Sequence, residues 1–193
     1  TLEYLREQQP EVRRLFVLGT PSMCEEMTAA GFELTAEDPT DEPEAVVVGF
    51  DTGLTYARLC RAAYWIRQGK LFIATHPDQV CPTDQPTVLV DCGAICAALA
   101  QATGRNPDMV LGKPDPCMIR GILHRHQLAP EELAMAGDRL YTDVAMAHRA
   151  GAVGVLVLTG ETTAAQAAVA QPAPDLIAPS LAEFGECLRQ VRA

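Results

Sequence analysis

The feature that most constrains this chain is the regular alternation of short apolar runs with helix-length segments. "RRLFVLG", "AVVVGF" and "LFIAT" are each too short for a buried helix and rich in β-branched or aromatic residues, so they predict strands. Between them lie "PSMCEEMTAAGF", with Pro21 near its start and Gly31 past its end, and "TYARLCRAAYWIRQG", whose Leu59, Ala62, Ala63 and Ile66 share one face. Strand–helix–strand order of this kind requires crossover connections, and so a parallel sheet. The loop "HPDQVCPTDQP" follows, then the extended run "TVLVDCG" and the helix "AICAALAQATG". The alternation resumes with "PDMVLGKPDP", "CMIRGILHRHQL", "PEELAMAGD", "YTDVAMAHRAG", "AVGVLVLTG", "TTAAQAAVA", "PDLIA" and "SLAEFGECLRQ". The chain therefore reads as α/β with two alternating units, joined near the turn "TGRNPD".

Composition limits what such units can do. With 48% hydrophobic residues in 193, there is enough apolar material to pack a core. The formal net charge of −10 opposes a general surface for nucleic acid or anionic membrane. A local phosphate site remains open, because a few cations can reverse the sign within one cleft. No run approaches the ~20 apolar residues of a membrane span, so no membrane partner is expected. Seven scattered cysteines without a CxxC pair read as reduced thiols, as expected for a cytoplasmic protein.

Ligands of open parallel sheets bind beyond the carboxyl ends of the strands. Three stretches qualify: "IATHPD", "VLGKPDP" and "AGDRLYTD". In the last, "LAMAG" predicts a short buried strand with Asp138 at its end. A charge there needs compensation, which a hard divalent cation would supply. Position alone equally allows an ordinary turn or N-cap residue. Asp143 falls at the start of the next helix, where it would complement the helix dipole or support its neighbour. Lys113, one of two lysines in the chain, stands between Gly112 and Pro114 after a strand. It reads as an anion-binding cation or as a solvated lysine. His76 and Asp78 follow "LFIAT" and are either substrate contacts or polar loop residues.

Taken together, "VLGKPDP" and "AGDRLYTD", each after a strand and about 25 residues apart, resemble the third and fourth motifs of the haloacid dehalogenase-like phosphatases. The spacing and "AGAVGVLVLTGETT" are similar to the NagD-like branch, which includes nitrophenyl, nucleotide and sugar-phosphate phosphatases. "FIATHPD", "CGAICAALAQATGRNPD" and "YARLCRAAYWIRQG" resemble that branch's cap. The resemblance runs from near Thr1 to about Thr163.

It implies a Rossmann-like parallel-sheet core, of which this chain carries the second half, with an inserted α/β cap. Residues 1–11 would connect core to cap, 12–107 would form the cap and 108–193 the core segment. It also implies Mg2+-dependent hydrolysis of a small phosphorylated metabolite through an aspartyl-phosphate. Asp138 would be a magnesium ligand. Lys113 would bind the transferring phosphoryl group, and Asp143 would support Lys113 or the metal. Arg139 would lie on the phosphate side, and His76 and Asp78 on the cap loop facing the substrate, although the family usually has asparagine where His76 stands. The family's first motif, DxDGT or DxDGV, carries the nucleophile. No DxD occurs in these residues, and Asp51 in "VVVGFDTG" is only an echo of it. The resemblance thus implies an amino-terminal segment before Thr1, and a chain that is inactive without it. The alternative is an inactive relative that binds phosphorylated metabolites or a protein partner. A homodimer through the cap is compatible with either.

Overall fold

A computed structural model of the protein describes residues 1–191, so residues 192–193 of the expected core segment lie outside the described residues. The chain divides into two compact units, Thr1–Gly112 and Lys113–Ala193.

The first unit contains, in order, α1 (Leu2–Gln8), β1 (Arg14–Leu18), α2 (Pro21–Ala29), β2 (Glu33–Leu34), β3 (Ala45–Val48), α3 (Tyr56–Arg67), β4 (Leu71–Ala74), β5 (Val80–Cys81), β6 (Leu89–Val90), α4 (Cys92–Thr103) and β7 (Met109–Val110). β2-β1-β3-β4-β7 form one sheet in that order, with every pairing parallel. The alternation legible in the sequence is therefore a set of crossover connections. In β3, Val46, Val47 and Val48 are all fully buried, as expected of a central strand covered on both faces. Phe72, Trp65, Ile66, Ile95 and Leu99 join Val46 and Val48 in the core. Complete burial of each such side chain is worth about 1.5–3 kcal/mol. The helices begin where the sequence provides caps: Thr20 accepts from the Met23 amide, and Thr55 from the Arg58 amide. The loop expected after "LFIAT" contains β5, which pairs antiparallel with β6 in the expected extended run "TVLVDCG".

The unit boundary lies a few residues beyond the expected junction between residues 107 and 108. β7 pairs in parallel with β4, Ile73 opposite Met109 and Ala74 opposite Val110, so the "DMV" strand closes the first sheet. The boundary falls after Gly112 instead. Arg105 fastens this stretch: it donates to the Ile66 and Lys70 carbonyls and to both oxygens of Asp108, and Asp108 in turn accepts the Phe72 amide.

The second unit contains α5 (Cys117–His126), β8 (Ala134–Gly137), α6 (Ala145–Ala150), β9 (Val153–Val157), α7 (Ala164–Ala168), β10 (Leu176–Ala178) and α8 (Leu181–Val191). Its three-stranded parallel sheet has the order β10-β9-β8. β9, in the middle, is the buried strand. β8 is not the buried strand that "LAMAG" predicts: Ala134 is exposed and the rest is half-buried, because β8 lies at the sheet edge with a strand on one side only among the described residues. No helix among the described residues is long and apolar enough to cross a membrane.

Asp51, the echo of a nucleophile motif, has a structural role. Its carboxylate is buried, accepts the Gly53 amide at 2.9 Å and pairs with Arg58 Nη1 at 2.7 Å, while Arg58 Nη2 also donates to the Val17 carbonyl. Removing one partner of a buried pair strands the other charge. Arg58→Ala should lower the unfolding free energy by about 3 kcal/mol, and Asp51→Asn added to it should recover part of that loss. Urea unfolding of the single and double variants checks this.

Candidate active site

In the second unit the carboxyl end of β8 gathers four of the residues named from sequence, Lys113, Asp138, Arg139 and Asp143. Gly137 ends the strand and Asp138 follows. Leu140–Val144 then form a single π turn before α6. The widening is visible at Arg139, whose carbonyl accepts from both the Asp143 amide at 3.0 Å and the Val144 amide at 3.2 Å. Such bulges recur at functional sites because they re-aim a side chain. Here the turn sends Asp143 back beneath the strand end.

Asp143 is buried. Its Oδ2 accepts the Arg139 amide at 3.1 Å. Its Oδ1 has no aligned hydrogen-bond donor, and the partner it has is the Lys113 ammonium, an ion pair at 3.0 Å. Thr142 Oγ1 beside it is also buried without a hydrogen-bond partner. Lys113 is 45% exposed against 4% for Asp143, so a buried carboxylate anchors an ammonium that still faces solvent.

Asp138 is held differently. Its Oδ2 accepts the Glu161 amide at 2.8 Å, and this bond keeps its carboxyl below the usual carboxylate range, with Arg139 and Lys113 adding in the same direction. Both carboxylates need neighbours without side chains. A Cβ on Gly137 would stand 2.3 Å from Asp143 Cβ and Cγ, and one on Gly160 would stand 2.1 Å from Asp138 Oδ2.

Arg139 turns to Glu161, Nε to Oε2 at 2.7 Å, and Tyr141 donates to Glu161 Oε1 at 2.8 Å. Glu161 raises the pKa of both groups. Sequence reasoning missed Glu161. Its only local signal was its position just past a strand run, in "VLVLTGE".

His76 and Asp78 belong to the first unit, on the loop after β4. His76 Nε2 lies 2.8 Å from Asp91 Oδ1, and its Nδ1 lies 2.8 Å from Thr75 Oγ1. Asp91 is buried and also caps α4 through the Cys92 amide. Asp78 is exposed, and its carboxylate approaches the same pair. Two of the dispersed cysteines, Cys92 and Cys96, meet in the core with their sulfurs 4.0 Å apart. Asp91, Thr75 and this thiol pair were not expected from the sequence.

The parallel α/β sheet thus carries an ion-paired lysine and a second carboxylate together at one strand end. The comparisons place the chain in a family. The Hydrolase_like (HAD-hydrolase-like) family model matches residues 110–184. Ribonucleotide monophosphatase NagD of Escherichia coli K12 is 34% identical over 184 residues, covering 95% of this chain and 69% of the relative. The crystal structure of 4-nitrophenylphosphatase from Thermotoga maritima superposes with a TM-score of 0.83 at 41% identity, over 95% of this chain and 67% of that one. Glycerol phosphate phosphatase from Mycobacterium tuberculosis, solved in complex with magnesium, superposes with a TM-score of 0.83 at 32% identity, over 94% of this chain and 55% of that one. The chain belongs to the haloacid dehalogenase-like family, in its NagD-like branch.

The packing beneath Asp138 and Asp143 yields a test. Gly137→Ala should destabilise the protein by about 1–3 kcal/mol through overpacking against Asp143. Alanine at the half-buried, helical Gly185, where an added Cβ meets nothing within 4 Å, should not destabilise it. Thermal unfolding of the two variants measures the difference.

Proposed function

We propose that this chain is the cap and carboxyl-terminal core portion of a Mg2+-dependent phosphatase of small phosphomonoesters that works through an aspartyl-phosphate. The observation that carries the reading is the Lys113–Asp143 ion pair beside Asp138 at the carboxyl end of a parallel sheet. The first unit then corresponds to the cap, with α1 as its connection to the core.

The residues present fit a hard divalent cation. Asp138 is held ionised at a strand end, and Thr142 Oγ1, next to Asp143 in the chain, is a buried polar atom with no hydrogen-bond partner. Asp138 would be the metal ligand, with Asp143 in support. Bound there, Mg2+ would neutralise charge on the phosphoryl oxygens and orient the ester.

The chain's own groups do the rest. Lys113 presents N–H donors and a fixed positive charge to the transferring phosphoryl group. Asp143 positions that charge beforehand, so little reorganisation accompanies the reaction. Arg139, oriented by Glu161, adds positive potential on the phosphate side. His76 and Asp78 are assigned to substrate contact from the loop after β4. The nucleophilic aspartate, and the aspartate two positions on that handles the leaving-group proton, are assigned to a DxD element outside these residues, which hold no DxD. The same reading makes the protein cytoplasmic and leaves the cap as the surface for a homodimer.

Phosphate release from p-nitrophenyl phosphate in Mg2+ tests this. The 193-residue chain should release none above buffer. A longer protein that includes a DxD segment should turn over, and Lys113→Ala in it should lower kcat by at least about 10²-fold. Asp138→Asn should lower kcat and raise the Mg2+ requirement. A longer protein with DxD and Asp138 intact but no activity on a broad phosphoester panel would sink the proposal.

A further inference from the structure

The loop after β4 brings together a group that the phosphatase reading does not use for chemistry. His76 stands two residues past the strand, Asp78 lies on the loop and Asp91 caps α4. One donor atom from each lies within 4.8 Å of the others. We propose that His76, Asp78 and Asp91 bind a divalent first-row transition ion. One imidazole nitrogen and two carboxylates suit manganese, iron, cobalt or zinc better than an ion that prefers oxygen alone. Three protein ligands also leave coordination positions open for water or a ligand.

The hydrogen-bond geometry accommodates a cation at this point. His76 Nε2 lies 2.8 Å from Asp91 Oδ1, and Asp78 brings a second carboxylate to the same place. With a metal on Nε2, Nδ1 would carry the hydrogen and donate it to Thr75 Oγ1, 2.8 Å away. Thr75 has an alternative acceptor for its own hydroxyl proton in the Cys92 sulfur at 3.8 Å. A metal-ligating histidine whose other nitrogen donates to a fixed oxygen is the usual arrangement, because that bond selects the tautomer.

The donors are also preorganised. The Gly93 amide donates to the Asp78 carbonyl at 2.7 Å, and the Asp91 amide to the Gln79 carbonyl at 3.0 Å. An added Cβ at Gly93 would lie 2.2 Å from the Pro77 carbonyl oxygen, so loop and helix start are clamped face to face. His76 also borders a cleft of about 230 Å³, lined in part by Gln79, Asn106 and Val110, which gives the imidazole a route to solvent.

The site lies wholly in the first unit and does not depend on the phosphatase reading. The test therefore uses binding rather than turnover. Mn2+ is the probe, because it avoids the free thiols, and Asp138→Asn is the background, because it removes the other expected metal ligand. Electron paramagnetic resonance should show one equivalent of Mn2+ bound more tightly than ~1 mM, with nitrogen modulation from one imidazole. His76→Asn should abolish the nitrogen signal and weaken binding at least tenfold. Asp78→Asn, a change at an exposed position that leaves the fold intact, should weaken binding to a similar degree. Thr75→Val should weaken it by about 10–100-fold through the lost tautomer control. No binding in that background, or binding unchanged by His76→Asn or by Asp78→Asn, overturns the proposal.

Discussion

Much of the second unit is arranged around one buried negative charge. Asp143 is removed from water beneath the end of β8, where an unpaired carboxylate would cost several kcal/mol. Three features meet that demand together. The π turn aims the side chain inward, the Arg139 amide accepts the role of donor to one oxygen, and Lys113 brings a counter-charge to the other. The lysine is thereby held at a defined place although its own side chain is half-exposed. A flexible ammonium on a four-carbon stem becomes a fixed electrostatic element because its partner cannot move.

The same solution recurs in the first unit with different residues. Carboxylates near strand ends are tied by backbone amides: Asp51 by Gly53, Asp91 by Cys92 and Asp108 by Phe72. Asp138, tied by Glu161, follows this pattern in the second unit. At Asp138 the amide donor keeps the carboxyl below its usual range without adding a titrating group of its own. At Asp51 and Asp143 the side-chain cation, Arg58 or Lys113, sits on the oxygen the amide leaves over, whereas Arg105 reaches both oxygens of Asp108.

Most of the architecture was legible because period and punctuation are local properties. The strands that became β1, β3, β4 and β9, and the helices between them, follow from apolar runs, caps and terminal glycines. The strand-end rule likewise drew attention to Lys113, Asp138 and Asp143 before their geometry was known. What was not legible depends on pairing between distant segments. β7 reads as the start of the second unit until its ladder with β4 is seen. β8 reads as buried because alanine, methionine and glycine say nothing about which side of a sheet they end on. The side-chain partners of Glu161 and Asp91 lie 15 or more residues away, so position past a strand run or before a helix gives only part of their role.

The glycines beneath the two carboxylates have a practical consequence. At Gly137 and Gly160 what the site requires is empty space where a side chain would otherwise stand. Scanning by truncation to alanine asks what each side chain adds, so by design it removes groups from every position except these. A map of this strand end built that way would credit Asp138, Asp143 and Lys113 and leave blank the two positions that let them fit. The informative direction here is enlargement, and the residues it identifies are the ones defined by what they lack.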